Sequence, residues 1–332
     1  MGKALKVMLG ALLTLAIVVA AAWSALALWF RLPAPEWARM GLGGFVAVVA
    51  FLAIFGLFRA WRLRGLAAFA VILAVVMAWW STLTPPSARN YAPEVARQSY
   101  GEIVGDRLVM HDMRDFEWRS KEDYTENWIS REYDLSELDT TDVFLPYWGP
   151  QYMAHLIVSF GFSDGEHLAW SVEVRRTEGG GFSPLADMFK SNTLAILAST
   201  ERDLVGLRTN VRGEDVQLYR LKVRDFAARN ILTAFVQDAT QLAAKPRWYN
   251  ALFTNCTTVV TTIMDGVGAG QAWDWRVIAN GYLPEFAYDN GSVNTDLTLD
   301  ELRELGRVAP RAIAHGLGDG FSQAIRVGVP VP

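Results

Sequence analysis

Trp248-Tyr249-Asn250-Ala251-Leu252-Phe253-Thr254-Asn255-Cys256-Thr257-Thr258-Val259-Val260-Thr261-Thr262-Ile263-Met264 holds the only cysteine of a 332-residue chain. Whether this stretch is strand or helix decides what that thiol can do. Thr257 to Ile263 are all β-branched, the composition of a strand. The periodicity points the other way, because Val259, Val260, Ile263 and Met264 recur at the spacing of one helical face. Asn255 or Thr254 is a good N-cap, which makes Cys256 the first helical residue, and Gly266 is a candidate C′ residue. A thiol at a helix N-terminus sits where unpaired backbone N–H groups and the helix dipole favour its thiolate. Cys256 also shares the face of Val259 and Val260, so a side chain from a neighbouring sheet can reach it.

Upstream, the chain opens with Lys3 and Lys6 and then runs apolar from Val7 to Phe30, longer than the ~20 residues that cross a bilayer as a helix. Similar runs cover Met40 to Phe58 and Leu66 to Leu83, the last ending near Trp79 and Trp80 as an interfacial aromatic belt would. Three transmembrane helices over residues 1–84 are therefore expected, with a second domain from 85 to 332. The loop Arg59 to Arg64 carries three arginines and no acid, which places it and the N-terminus inside. That predicts a multi-pass inner-membrane protein with its C-terminal domain in the periplasm. The alternative for the first run is a signal peptide cleaved near Ala25-Leu26-Ala27, though the run is long for an h-region. The other two helices leave the destination of the domain unchanged.

Of 31 basic and 35 acidic residues, residues 1–84 hold seven and one, so the remainder carries 24 and 34, a net charge near −10. Such a domain is a poor partner for nucleic acid and is repelled by anionic lipid, so a membrane substrate is reached through the tether. A single cysteine excludes an internal disulfide.

Within the domain, Pro85 to Asp139 lacks clean periodicity and reads as irregular with short helices. Asp142 to Phe162 is strand-like apart from Pro146 to Pro150, with Tyr152 to Phe162 as a central strand. His167 to Arg176 returns from the Ser163-Asp164-Gly165-Glu166 turn. Pairing about that turn sums to about 329, which sets His155 opposite Glu173 or Val174. Leu204 to Val211 and Val216 to Val223 read as strands, and Asp225 to Ala243 as an amphipathic helix. Gly266 to Gly291 is a Trp- and Gly-rich loop, Thr298 to Glu301 a capping box, and the chain after Pro310 a small, peripheral tail.

A strand histidine, a partner-strand carboxylate and a helix-start cysteine 101 residues after the histidine form the order of a thiol enzyme. The candidate catalytic residues are Cys256 as nucleophile, His155 as base, Glu173 as its orienting acid and Asn255 as a cap and oxyanion donor. Arg175 and Arg208 are candidates for a phosphate headgroup, and Trp273, Trp275, Tyr282 and Phe286 for an apolar wall. His111, His167 and His315 share no ligand spacing, so no metal and no cofactor are expected.

Ala154-His155-Leu156-Ile157-Val158-Ser159-Phe160, Ser171-Val172-Glu173-Val174-Arg175-Arg176 and Thr254-Asn255-Cys256-Thr257-Thr258 resemble blocks of the Lnb-type periplasmic domain family, which is linked to N-acylation of bacterial lipoproteins. More distantly, a histidine strand followed by an Asn-Cys helix is similar to the permuted papain-like fold of lecithin–retinol acyltransferases and NlpC-type relatives. The resemblance covers roughly residues 139–285. It implies an α+β, permuted papain-like domain that forms a thioester on Cys256. The expected reaction is acyl transfer from a phospholipid to an amine such as a lipoprotein N-terminus. A hydrolase of lipid esters or peptidoglycan amides is the second reading, and a non-enzymatic membrane-tethered sensor or assembly module the third. This chain departs from the best-known members by carrying its membrane helices before the catalytic domain.

Overall fold

The computed structural model describes residues 3–57, 59–86, 88–223 and 225–332, so Phe58, at the end of the second apolar run, lies outside the described residues. The chain divides into two compact units: Met1–Pro86 with Ser183–Ser191, and Ser87–Phe182 with Asn192–Pro332.

The first unit contains α1 (Lys3–Arg31), α2 (Glu36–Gly56) and α3 (Arg62–Thr82), each long and apolar enough to cross a membrane. They pack around Ile17, Val46, Ala53, Phe69 and Val76, while most of their remaining apolar side chains face outward, as lipid-exposed helices require. The short helix α4 (Pro184–Asp187) and the residues after it belong to the same unit: Phe189 packs on Phe30 and Trp80, and Lys190 Nζ donates to the Trp80 and Leu83 carbonyls.

The second unit is built on a mixed sheet. Its strands are β1 (Tyr100–Val104), β2 (Arg107–Arg114), β3 (Glu117–Trp118), β4 (Tyr124–Thr125), β5 (Trp128–Asp134), β6 (Leu138–Tyr147), β7 (Ile157–Phe162), β8 (His167–Arg175), β9 (Thr193–Ser199) and β10 (Asp215–Arg220). Among the described residues the order is β1-β2-β9-β8-β7-β6-β10, with β5 on β2 and β3–β4 a separate ribbon. The neighbours are antiparallel except β2 and β9. Alternation along β6 to β8 divides the sheet into two faces. Leu145, Leu156, Val158, Trp170 and Val172 turn toward α6 (Asp225–Ala244) and α7 (Cys256–Gly266) in the main core. Phe144, Ile157 and Ala169 turn toward a second core that includes Leu204, Phe321 and Ile325.

The fold is thus α+β with an apolar three-helix segment, as expected, and several local readings change. Residues 100–134 are strands, not irregular chain. Gly105 takes φ +63° in the two-residue turn between β1 and β2, the hairpin signal that the mixed composition hid. Leu204 to Val211 is not a strand but α5 (Glu201–Gly206) continued as a π-turn over Leu207–Val211, because Thr200 caps the Asp203 N–H and starts a helix there. The central strand β9 was not anticipated between the hairpin and that helix. β7 begins at Ile157 rather than Tyr152. The Trp- and Gly-rich loop contains α8 (Leu283–Asp289), and α9 (Leu299–Gly306) follows the Thr298–Glu301 capping box as read. The tail is not peripheral. It forms α10 (Ala309–His315) and α11 (Phe321–Arg326), whose Phe321, Ile325 and Arg326 close the second core.

Candidate active site

The cysteine helix starts where the cap dictates. Asn255 Oδ1 accepts from the Thr257 and Thr258 N–H groups at 3.0 Å each, and Thr258 Oγ1 accepts from the Asn255 N–H, a reciprocal box that fixes Cys256 at the first helical position. Upstream, Asn250 Oδ1 accepts from Leu252 and Phe253, and Trp248 bridges to Thr193 on β9, so the approach to Cys256 is tied to the sheet. At the other end, Val267 is the C-cap and Gly268, with φ +73°, takes the left-handed position expected of Gly266.

The histidine sits just before β7, where its N–H donates to the Pro146 carbonyl. The β7–β8 ladder pairs Ile157 with Ser171, a sum of 328, and that register continued by two residues sets His155 against Glu173. The side chains follow it: His155 Nε2 lies 3.2 Å from Glu173 Oε1 and 2.6 Å from Ser171 Oγ, while the Ser171 hydroxyl donates to Glu173 Oε1 at 2.7 Å. A hydroxyl that spends its one hydrogen on the carboxylate accepts from the imidazole, so Nε2 carries the proton and Nδ1 is left for the sulfur. Arg208, from the π-turn, reaches the same Glu173 Oε1 at 3.2 Å and also contacts Glu214.

The electrostatics follow from these partners. Burial alone pushes the His155 pKa down. The Glu173 carboxylate and hydrogen bonds to Cys256 and Glu173 more than offset it, and the pKa is raised to about 9. Burial likewise pushes the Cys256 thiol up, but the hydrogen bond and charge of His155, the Leu156 N–H and the Thr257 hydroxyl bring it below the ordinary thiol range. Glu173 is held well below the usual carboxylate range, because His155, Arg208 and Ser171 together outweigh its burial. At neutral pH these directions favour a thiolate–imidazolium pair.

Asn280 completes the cluster, and sequence reading missed it. Its Oδ1 accepts from the Ala154 N–H beside the histidine at 2.8 Å. Its Nδ2 donates to Thr257 Oγ1 at 3.0 Å and lies 3.6 Å from Cys256 Sγ. One amide therefore ties the histidine segment to the cysteine helix. The signal was Asn280-Gly281: a Cβ on Gly281 would stand 1.8 Å from the Gln151 carbonyl oxygen, so only glycine lets this turn approach.

The other candidates are placed as follows. Asn255 spends its Nδ2 on the Ala251 carbonyl. Arg175 donates to the Val95 and Ala96 carbonyls and lies 4.1 Å above the Tyr91 ring. Trp273 and Trp275 are exposed, and Trp275 packs on Tyr282 with ring centroids 5.4 Å apart. Beside Cys256, Thr257 and Leu156 border an apolar cavity of about 430 Å³. Among the described residues no group of three or more His, Cys, Asp or Glu side chains converges as a metal site.

Fold and site define a membrane-anchored protein whose extramembrane α+β unit carries a paired thiol and imidazole. Residues 124–281 match the model of the Lnb N-terminal periplasmic domain, so the Lnb-type resemblance holds over slightly under half of the chain, the part that supplies His155, Glu173, Cys256 and Asn280. No curated protein and no solved structure matches the chain.

Proposed function

We propose that the protein is a periplasmic cysteine acyltransferase, anchored in the inner membrane by three helices, that moves a fatty acyl chain from a phospholipid through Cys256 to an amine such as a lipoprotein N-terminus. The observation that carries this reading is the Cys256–His155–Glu173 alignment at a helix start, with the thiol lowered and the imidazole raised. The His-before-Cys order supports the permuted papain-like reading of the domain.

In the first step the Cys256 thiolate attacks the ester carbonyl carbon. A C–S bond forms, the ester C–O bond breaks, and the departing alkoxide takes the proton of the His155 imidazolium. Charge on the tetrahedral oxygen is met by the Cys256 N–H, which the Asn255 side chain does not engage at the start of the cysteine helix. In the second step an amine attacks the thioester, its surplus proton passes to His155, and the C–S bond breaks to restore the thiolate. Glu173 stays ionised throughout and keeps Nε2 protonated. Arg208 acts on Glu173 and not on substrate.

Purified protein mixed with phospholipid and no acceptor is expected to gain one acyl chain on Cys256, removable by neutral hydroxylamine. Cys256→Ser lacks the labile adduct. Steady release of free fatty acid without an adduct would favour the hydrolase, and neither product with any lipid would favour the sensor.

A further inference from the structure

We infer that the cavity beside Cys256 is the pocket that receives the acyl chain of the substrate, one long hydrocarbon chain held in the domain interior. This rests on the acyl-transfer reading and adds where the chain goes.

The cavity runs along the inner side of the cysteine helix. Thr257, Val260, Thr261 and Met264 line it at i, i+3, i+4 and i+7, a wall of two turns or ~10 Å at 1.5 Å per residue. The opposite wall is β6, through Val143 and Leu145. These are main-core positions, where close packing leaves few voids larger than a water molecule. A volume of about 430 Å³ is within the ~300–1,000 Å³ of small-molecule sites. With ~10–15 Å³ of such space needed per water-sized group, it admits a long hydrocarbon chain and not only a short one.

The chemistry of the lining selects the guest. Lys222 is its one charged residue among the described residues, and the remaining lining is mainly aliphatic and aromatic, with isolated hydroxyl and amide groups. A headgroup, a sugar or a peptide would leave its polar groups unpaired there, whereas a hydrocarbon chain loses nothing. The position selects it again. Neither Cys256 nor His155 lines the cavity, but Thr257 and Leu156 do, and these same residues touch Sγ through the Thr257 hydroxyl and the Leu156 N–H. A carbonyl at Sγ therefore has its reacting atoms outside the cavity and its α-carbon at the entrance.

Two arms test this on the full chain. In the first, Cys256→Ala protein in detergent is irradiated with a diazirine-bearing palmitic acid and the label is mapped by peptide mass spectrometry. Label on peptides containing Val260–Met264 or Leu283–Asn290, removed by excess palmitate but not by butyrate, is the expected result. Label confined to the helices of residues 3–82 overturns the pocket. In the second arm, wild-type protein is acylated from p-nitrophenyl palmitate and p-nitrophenyl butyrate. Ala287→Phe and, from another wall, Ala227→Phe should each lower the palmitoyl-to-butyryl adduct ratio at least tenfold, the butyryl adduct reporting a folded site. An unchanged ratio with normal adducts overturns the pocket and leaves the acyl-transfer reading intact. Cavity cross-linking without any adduct in the wild type retains the pocket and rejects the transfer.

Discussion

Two clusters of charged side chains lie on the same face of the sheet and behave oppositely. In the closed one, Arg326 bonds Asp142 and Glu201 together, with Arg220 on Asp142 and the Ser159 hydroxyl on Glu201. In the other, His155 and Arg208 bracket Glu173, and the chain of contacts ends on a sulfur. Both pull a buried carboxylate down, Glu201 to about 2 against its burial, whereas burial outweighs Arg326 and Arg220 at Asp142 and leaves its pKa raised. The difference is the cation. A guanidinium keeps its proton at any working pH, so the closed cluster is fixed and can only stabilise. An imidazole exchanges its proton, so the same geometry around His155 becomes a place where a proton can be stored and returned.

The largest expected effect separates the two by what is lost. His155→Ala should cost acyl-adduct formation ~10²–10⁴-fold, the range of a general base, while the domain still folds, because Arg208 and Ser171 keep Glu173 partnered. Arg326→Met should do the reverse. Removing it leaves two buried carboxylates without their shared cation, a loss of about 3–5 kcal/mol in denaturant unfolding. If His155→Ala unfolds the domain, or Arg326→Met melts normally, the contrast is wrong.

A smaller effect, about ten- to a hundredfold, is expected for Glu173→Gln, which keeps a hydrogen-bonding group and loses the charge that holds the imidazolium. Its signature is the pH profile of Cys256 alkylation. With His155 raised to about 9, the ion pair persists to that pH, and the upper limb should move to lower pH in the variant. A limb that stays near 9 would assign the raised pKa to another group. The stability linkage has the matching sign: the raised His155 contributes fully below its unfolded value of ~6.5 and loses that contribution as pH rises through 9. The depressed Glu201 contributes above ~4.3 and loses it as pH falls toward 2. Unfolding measured at both ends, in wild type and in Arg326→Met, should show the acid-side loss shrink in the variant. The smallest effect is Asn280→Ala, about 1 kcal/mol of adduct-forming rate for one lost tether, with little change in melting.

The sequence made one cluster visible and concealed the other. Cys256, His155 and Glu173 could be found because each rests on a local rule: a cap, a hairpin register, a strand end. Asn280 could not, since it bridges Ala154 and Thr257, 126 and 23 residues away along the chain. The closed cluster joins positions 142, 201 and 326, too far apart for any periodicity to register. Residues 100–134 were illegible for a different reason. Their strands mix charged and apolar side chains with Trp and Tyr, and burial of Leu108, Met110 and Tyr133 in the main core with α6 decides their faces, not composition. The Arg208 contact with Glu173 depended on the π-turn, which the β-rich composition of 204–211 disguised as a strand.

One feature of the site governs how it fails. Cys256 is the only thiol in the chain. A low-pKa thiolate is the form that peroxides attack, and its sulfenic acid normally escapes further damage by condensing with a resolving cysteine nearby. Here no such partner exists within the molecule. Oxidative stress is expected to drive Cys256 on to the sulfinic and sulfonic acids unless a small thiol from outside intercepts it, so the chemistry that makes the residue reactive also makes its loss permanent.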